Sequence, residues 1–301
     1  MGYGSYTAGD WQKLKISRNL GASQNADQTF VRRNISDKLN SKFIDIRESF
    51  DSDDSPNSTP IILGFDVTGS MGFLANEIAT KSLNDTITKI LSNKIVVNPH
   101  FMCAAFTDKL SPLQVTQFEA DIRVTEQLLD FVLGGGNQYS FDNLLWYFAA
   151  KHTVIDSYRK RGKKGILISI GDEICGADKN TLFSSDIKAV FNDHCYCSYS
   201  FNDTYKMASE QYEVVHIVIG KDWRFDKKCN NNSYDGWQQA LPGRVGKIKA
   251  NDVEYLSDVI IAIIKLLNGA SKQEVTNNSM LTPAAKSAVA FAIEDMNIVE
   301  D

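Results

Sequence analysis

The chain has 301 residues, a length that admits one large α/β domain or two smaller ones. Its 43% hydrophobic and 23% charged residues are ordinary for a globular protein with a sizeable core. A net charge of -5, from Lys+Arg 32 against Asp+Glu 37, argues against a nucleic-acid binder built on a broad basic surface.

The densest basic cluster, Arg159-Lys160-Arg161 with Lys163-Lys164, reads as a solvated helix end and turn. Residues 1–10 carry neither the basic nor the apolar stretch of a secretory signal. The late apolar run at 259–264 stops at Lys265, far short of the ~20 residues that span a bilayer. A cytoplasmic chain without membrane or nucleic-acid partners is the expectation. Five scattered cysteines do not suggest a disulfide framework. His194-Cys195-Tyr196-Cys197 has the ligand types of a zinc site but lacks a paired C-x₂₋₄-C knuckle, so it reads as thiols beside a strand.

In chain order, residues 1–59 form a polar, weakly periodic extension. Within it Phe43-Ile44-Asp45-Ile46-Arg47 alternates like a short strand, and residues 51–60 are a turn-rich acidic linker. Residues 60–65 (PIILGF) are a continuous apolar run, as expected of a strand buried on both faces. Ala75, Ala79, Leu83, Ile87 and Ile90 then share one helical face. A strand pattern at 101–106 follows, with 115–118 placed to pair with it across a Ser111-Pro112 turn. An amphipathic helix is predicted over 122–133, ended by Gly134-Gly135-Gly136, and another over 141–150. Residues 165–170 and 214–219 are further apolar strands, and 243–248 a short last one. A strong helix is predicted over 253–267, with Asn251 and Glu254 in capping-box spacing and Asn268-Gly269 as its stop. Thr282-Pro283 opens an Ala-rich helix over 284–296. Such alternation implies a Rossmann-like, doubly wound, mostly parallel sheet with helices on both faces. The expected organisation is an extension (1–59), one domain (60–268) and a C-terminal tail (269–301).

In sheets of this kind ligands bind where strands end, at a topological switch point. Three segments should meet there: Asp66-Val67-Thr68-Gly69-Ser70 after the first apolar strand, Asn137-Gln138-Tyr139-Ser140 after the glycines, and Gly171-Asp172-Glu173 after strand 165–170. Carboxylates from Asp66 and Asp172 and hydroxyls from Thr68, Ser70 and Ser140 are hard donors suited to Mg²⁺ that keeps several waters. The alternative for Ser70 and Ser140 is helix capping, and for Asp66 a cap on the following helix.

The stretch 61–72, IILGFDVTGSMG, resembles the von Willebrand factor A (VWA) family, whose metal-ion-dependent adhesion site (MIDAS) has the pattern D-x-S/T-x-S. It looks like the DVTGSM version of bacterial stand-alone members. The resemblance covers about residues 60–268. It implies a Rossmann-like sheet with one antiparallel edge strand. It also implies a bound Mg²⁺ or Mn²⁺, direct ligation by Ser70 and usually Thr68, and an open position for the carboxylate of a protein partner. Family members often work beside AAA+ ATPases or in multi-protein assemblies. Two departures concern the ligand set: the family's third element is commonly a Thr after Gly-Gly, where Ser140, Asn137 or Gln138 stands here, and its fourth is often Thr-Asp-Gly, where Glu173 follows Asp172.

Other chemistries find weaker support. An aspartyl-phosphate phosphatase wants a second Asp where Thr68 stands, although metal-dependent phosphoryl hydrolysis at the same rim stays an alternative, as does a scaffold stabilised by its ion. There is no P-loop, no dinucleotide fingerprint and no G-x-S-x-G elbow. His100, His152, His194 and His216 sit in no nucleophile motif, and His216, inside an apolar strand, reads as a core histidine. A binding protein rather than an enzyme is expected.

Overall fold

The computed structural model describes residues 6–21, 25–109, 111–136, 139–177, 179–221, 225 and 233–298. Of the predicted site, Asn137, Gln138 and the side chain of Ser70 lie outside what is described.

Eight strands are present among the described residues: β1 (Arg47–Ser49), β2 (Thr59–Asp66), β3 (Pro99–Phe106), β4 (Gln114–Val115), β5 (Thr153–Ile155), β6 (Gly165–Gly171), β7 (Tyr212–Gly220) and β8 (Val245–Lys249). Six form the central sheet in the order β4-β3-β2-β6-β7-β8. Only β4 runs antiparallel, pairing Val115 with Ala104. The fold is therefore the mostly parallel, doubly wound sheet with one antiparallel edge strand expected from the sequence. β2 lies between β3 and β6, so the chain reverses its direction of travel across the sheet there, and the β2–β6 seam is the switch point.

Alternate residues of each strand feed two cores. Ile61, Leu63 and Phe65 of β2 face one side, with Ile166, Ile168 and Ile170 of β6. Against them pack the helices Gly72–Glu77, Leu83–Ser92, Leu256–Leu267 and Pro283–Ile293. Ile62 and Leu167 face the other side, under the helices Asp142–Lys151, Ser184–Phe191, Phe201–Ser209 and Ser233–Ala240. Burial on both faces is why β2 and β6 read as unbroken apolar runs rather than alternating ones. Among the described residues, no helix is long and apolar enough to cross a membrane. Cys103, Cys195 and Cys197 are free thiols.

Several local expectations are corrected. The strand expected at 43–47 is a 3₁₀ turn, Ser41–Phe43, followed by β1, which pairs with β5 outside the main sheet. The Asn251/Glu254 capping box is not formed: a 3₁₀ stretch, Ala250–Tyr255, fills that position, and the helix starts at Leu256. The helix predicted over 122–133 is only Arg123–Leu128. Helix 283–293 does open as expected, with the Thr282 hydroxyl accepting from the Ala285 amide at 3.2 Å. The N-terminal segment packs onto the domain: Trp11, Leu14, Leu20 and Phe30 are buried in the first core.

Candidate metal centre

Parallel pairing of β2 with β6 sets Phe65 beside Ile170, so both strands deliver their next residues to the same rim. Asp66 ends β2 with only 1% of its surface exposed. Gly171 ends β6 beside it, and a Cβ on Gly171 would lie 3.5 Å from that of Asp66 and 3.9 Å from Cε1 of His216.

The loop after β2 folds back on the Asp66 carboxylate. The Thr68 amide donates to Oδ1 at 2.7 Å, and the Thr68 hydroxyl also bonds the carboxylate. Thr68 itself is buried. Behind it, the glycine segment props the loop: the Gly134 amide donates to the Val67 carbonyl at 3.1 Å, and the Gly69 amide to the Gly135 carbonyl at 3.3 Å. Gly135 takes φ +89, and a Cβ there would stand 3.0 Å from Thr107 Cβ, so the position needs glycine.

Asp172 and Glu173 complete the rim. One carboxylate oxygen from each of Asp66, Asp172 and Glu173 lies within 4.8 Å of the other two. Asp66 is buried and the others half-buried. The Trp237 indole fixes the loop by donating to the Glu173 carbonyl at 3.1 Å. Burial pushes the Asp66 carboxyl up to about 7; Glu173 and Asp172 add to the rise, and the Thr68 hydrogen bonds oppose it. Among the described residues no cationic side chain pairs with Asp66. A buried carboxylate crowded by like charge, with two more carboxylates in reach, fits a hard divalent cation that would supply the opposite charge.

The structure thus brings together Asp66, Asp172 and Glu173, with Thr68 bonded to the first. Ser140 arrives at the same loop by its backbone, its amide donating to the Ile174 carbonyl at 2.9 Å beside a Tyr139–Ile174 bridge. Its carbonyl accepts from the Asn180 side-chain Nδ2. Ser140 is not a helix cap: the next helix starts at Asp142, and its N-cap is Phe141, with no side-chain cap bond. The Ser140 hydroxyl instead donates to Asp142 Oδ2. Asp108, at the end of β3, accepts from the Ser111 amide at 2.9 Å and holds its own turn.

His216 is the buried core histidine expected; what sequence reasoning missed is Asp142 and its pairing with that ring. Asp142 is fully buried, and its Oδ1 lies 3.1 Å from His216 Nδ1. Burial would raise its carboxyl, but the charge and hydrogen bond of His216 and the hydroxyls of Ser140 and Ser169 hold it below the ordinary value. A histidine inside an apolar strand and an aspartate opening an apolar helix were the available signals; only the fold joins them.

No family model matches the chain, and no curated protein does. Among solved structures it is similar to the pilus adhesin SpaC from Lactobacillus rhamnosus GG in its open conformation, with a TM-score of 0.47 and 14% identity over 73% of this chain and 31% of that one. It is also similar to proximal thread matrix protein 1 (PTMP1) from the mussel byssus with a zinc-occupied MIDAS motif, at a TM-score of 0.41 and 14% identity over 74% of this chain and 49% of that one. A third is the conserved hypothetical protein BatB from Bacteroides thetaiotaomicron, at 0.37 and 14% over 70% of this chain and 100% of that one. The chain spans 31% of the adhesin and 49% of the byssus protein, and the likeness concerns the fold. Strand order and the single antiparallel edge give the class: an α/β chain with a doubly wound, mostly parallel sheet and a D-x-T-x-S loop at its switch point.

Proposed function

We propose that the chain is a divalent-cation-dependent protein-binding module. The cation, Mg²⁺ or Mn²⁺, would be held at the β2–β6 seam by Asp66, Thr68, Ser70, Ser140 and Asp172, with Glu173 at its edge. It would supply an electrophilic point for an acidic residue of a protein partner. The meeting of the Asp66, Asp172 and Glu173 carboxylates at the switch point carries this reading. The chain's residues do the rest: Thr68 orients Asp66, and the glycine segment fixes the loop after β2 through the Val67 carbonyl and the Gly69 amide. A neighbour's zinc-occupied MIDAS supports a metal in such a site without choosing the ion. The adhesin neighbour agrees with a binding role, and a partner in a multi-protein assembly, such as an AAA+ ATPase, fits the resemblance. A cytoplasmic setting is part of the same reading.

Calorimetric titration with Mg²⁺, and separately with Mn²⁺, tests it. Wild type should bind one ion and Asp66→Ala none. Absence of binding in wild type, or equal binding in both, overturns the reading.

A further inference from the structure

The Ser140 hydroxyl has one proton to give and two lone pairs to offer. Its backbone is pinned on both sides, by the Ile174 carbonyl and the Asn180 side-chain Nδ2. Its proton goes inward to Asp142 Oδ2. Asp142 in turn is braced from behind. Oδ1 meets His216 Nδ1 at 3.1 Å, and that nitrogen also lies 2.9 Å from Ser169 Oγ. The His216 ring is stacked on Trp237 at 3.5 Å and 11°, which fixes its rotation. Among the described residues its buried Nε2 has no hydrogen-bond partner. The ring's polar contacts among those residues are made through the nitrogen that faces Asp142 and Ser169. Trp237 closes the circuit by holding the Glu173 carbonyl.

A hydroxyl ligates a cation through a lone pair, so its proton must point elsewhere to an acceptor. Asp142 is that acceptor, and it sits where a cap would not need it, because the helix is capped at Phe141 without a side-chain bond. We propose that Asp142, braced by His216, is a positioning residue for the metal centre: it turns the Ser140 hydroxyl so that its oxygen is offered to the cation. This rests on the metal reading above. Groups that orient a ligand from behind are worth 10–100-fold in metal affinity when removed.

A double-mutant cycle on Mn²⁺ affinity tests it, using the full chain, with near-UV circular dichroism and the melting temperature reporting the fold. Asp142→Asn should weaken Mn²⁺ binding about 10–100-fold. In the Ser140→Ala background the same change should have no further effect, because Asp142 acts only through that hydroxyl. Wild-type affinity in Asp142→Asn, or a loss that adds in full to that of Ser140→Ala, overturns the proposal. If Asp142→Asn does not fold, His216→Leu and His216→Asn carry the test. Leucine should lose at least about tenfold. Asparagine, which keeps an N–H donor near the Nδ1 position, should retain the affinity. Equal affinities in the two overturn the bracing role. A wild type that binds no Mn²⁺ defeats the metal reading and this proposal together. A wild type that binds, an Asp66→Ala that does not, and an Asp142→Asn that binds normally defeat the positioning role alone.

Discussion

Asp66 and Asp142 are almost equally deep, with 1% and 0% of their surfaces exposed, yet their chemistry is opposite. Asp142 is met by an imidazole and two hydroxyls, and its carboxyl is held low. Asp66 is met by one threonine and by two further carboxylates, and its carboxyl is pushed up to about 7. Burial alone does not set the character of a carboxylate; its partners do. The fold compensates one aspartate internally. The other, at the strand-end rim where ligands enter such sheets, has no cationic side chain beside it among the described residues.

The comparison breaks most visibly if Asp142 loses its carboxylate. Asp142→Ala leaves His216 and Ser140 without their acceptor in a buried site and should cost about 3–5 kcal/mol of folding stability, read from urea unfolding. The same change in the Asp66 carboxylate should not destabilise the metal-free protein comparably.

A pH series in EDTA sharpens the contrast. The Asp66 carboxyl binds its proton more tightly in the fold than in the unfolded chain, where the ordinary value is 3.8. Its contribution is fully present below that value and is lost as the pH rises through about 7. The loss is on the order of 4 kcal/mol across that window at 1.36 kcal/mol per pH unit. Asp66→Asn should flatten the profile over the same range, and a metal-free wild type with no such slope would speak against the crowded carboxylates.

Adding the cation should reverse the penalty. At a hundred times its Kd, Mg²⁺ should raise the unfolding free energy by about 2.7 kcal/mol in wild type and leave Asp66→Ala unchanged, as seen in melting curves. The smallest expected effect is at the link between the two aspartates. Trp237→Phe keeps an aromatic face for His216 but removes the donor to the Glu173 carbonyl, and should cost about 1 kcal/mol.

The sheet was legible because strands buried on both faces write themselves as apolar runs: residues 60–65 and 165–170 fall within β2 and β6. The rim was legible because Asp66, Thr68 and Asp172 stand directly after those runs. Long-range partnership was not. Asp142 and His216 are brought together by packing a helix over β7, and no local pattern announces that contact. Weak local signals were overridden elsewhere. Asn251 and Glu254 have capping-box spacing, but the chain leaving β8 winds as a 3₁₀ turn before the helix can begin at Leu256. Residues 43–47 alternate like a strand, yet only Arg47–Ser49 finds a partner, β5, which the sequence did not mark.

The most direct measurement is a crystal of the protein soaked in Mn²⁺ and read at the manganese absorption edge. An anomalous peak between the carboxylates of Asp66 and Asp172, with Ser140 still bonded to Asp142, is the predicted result. A soaked crystal with no peak at that rim, or with manganese bound only elsewhere, would contradict the account.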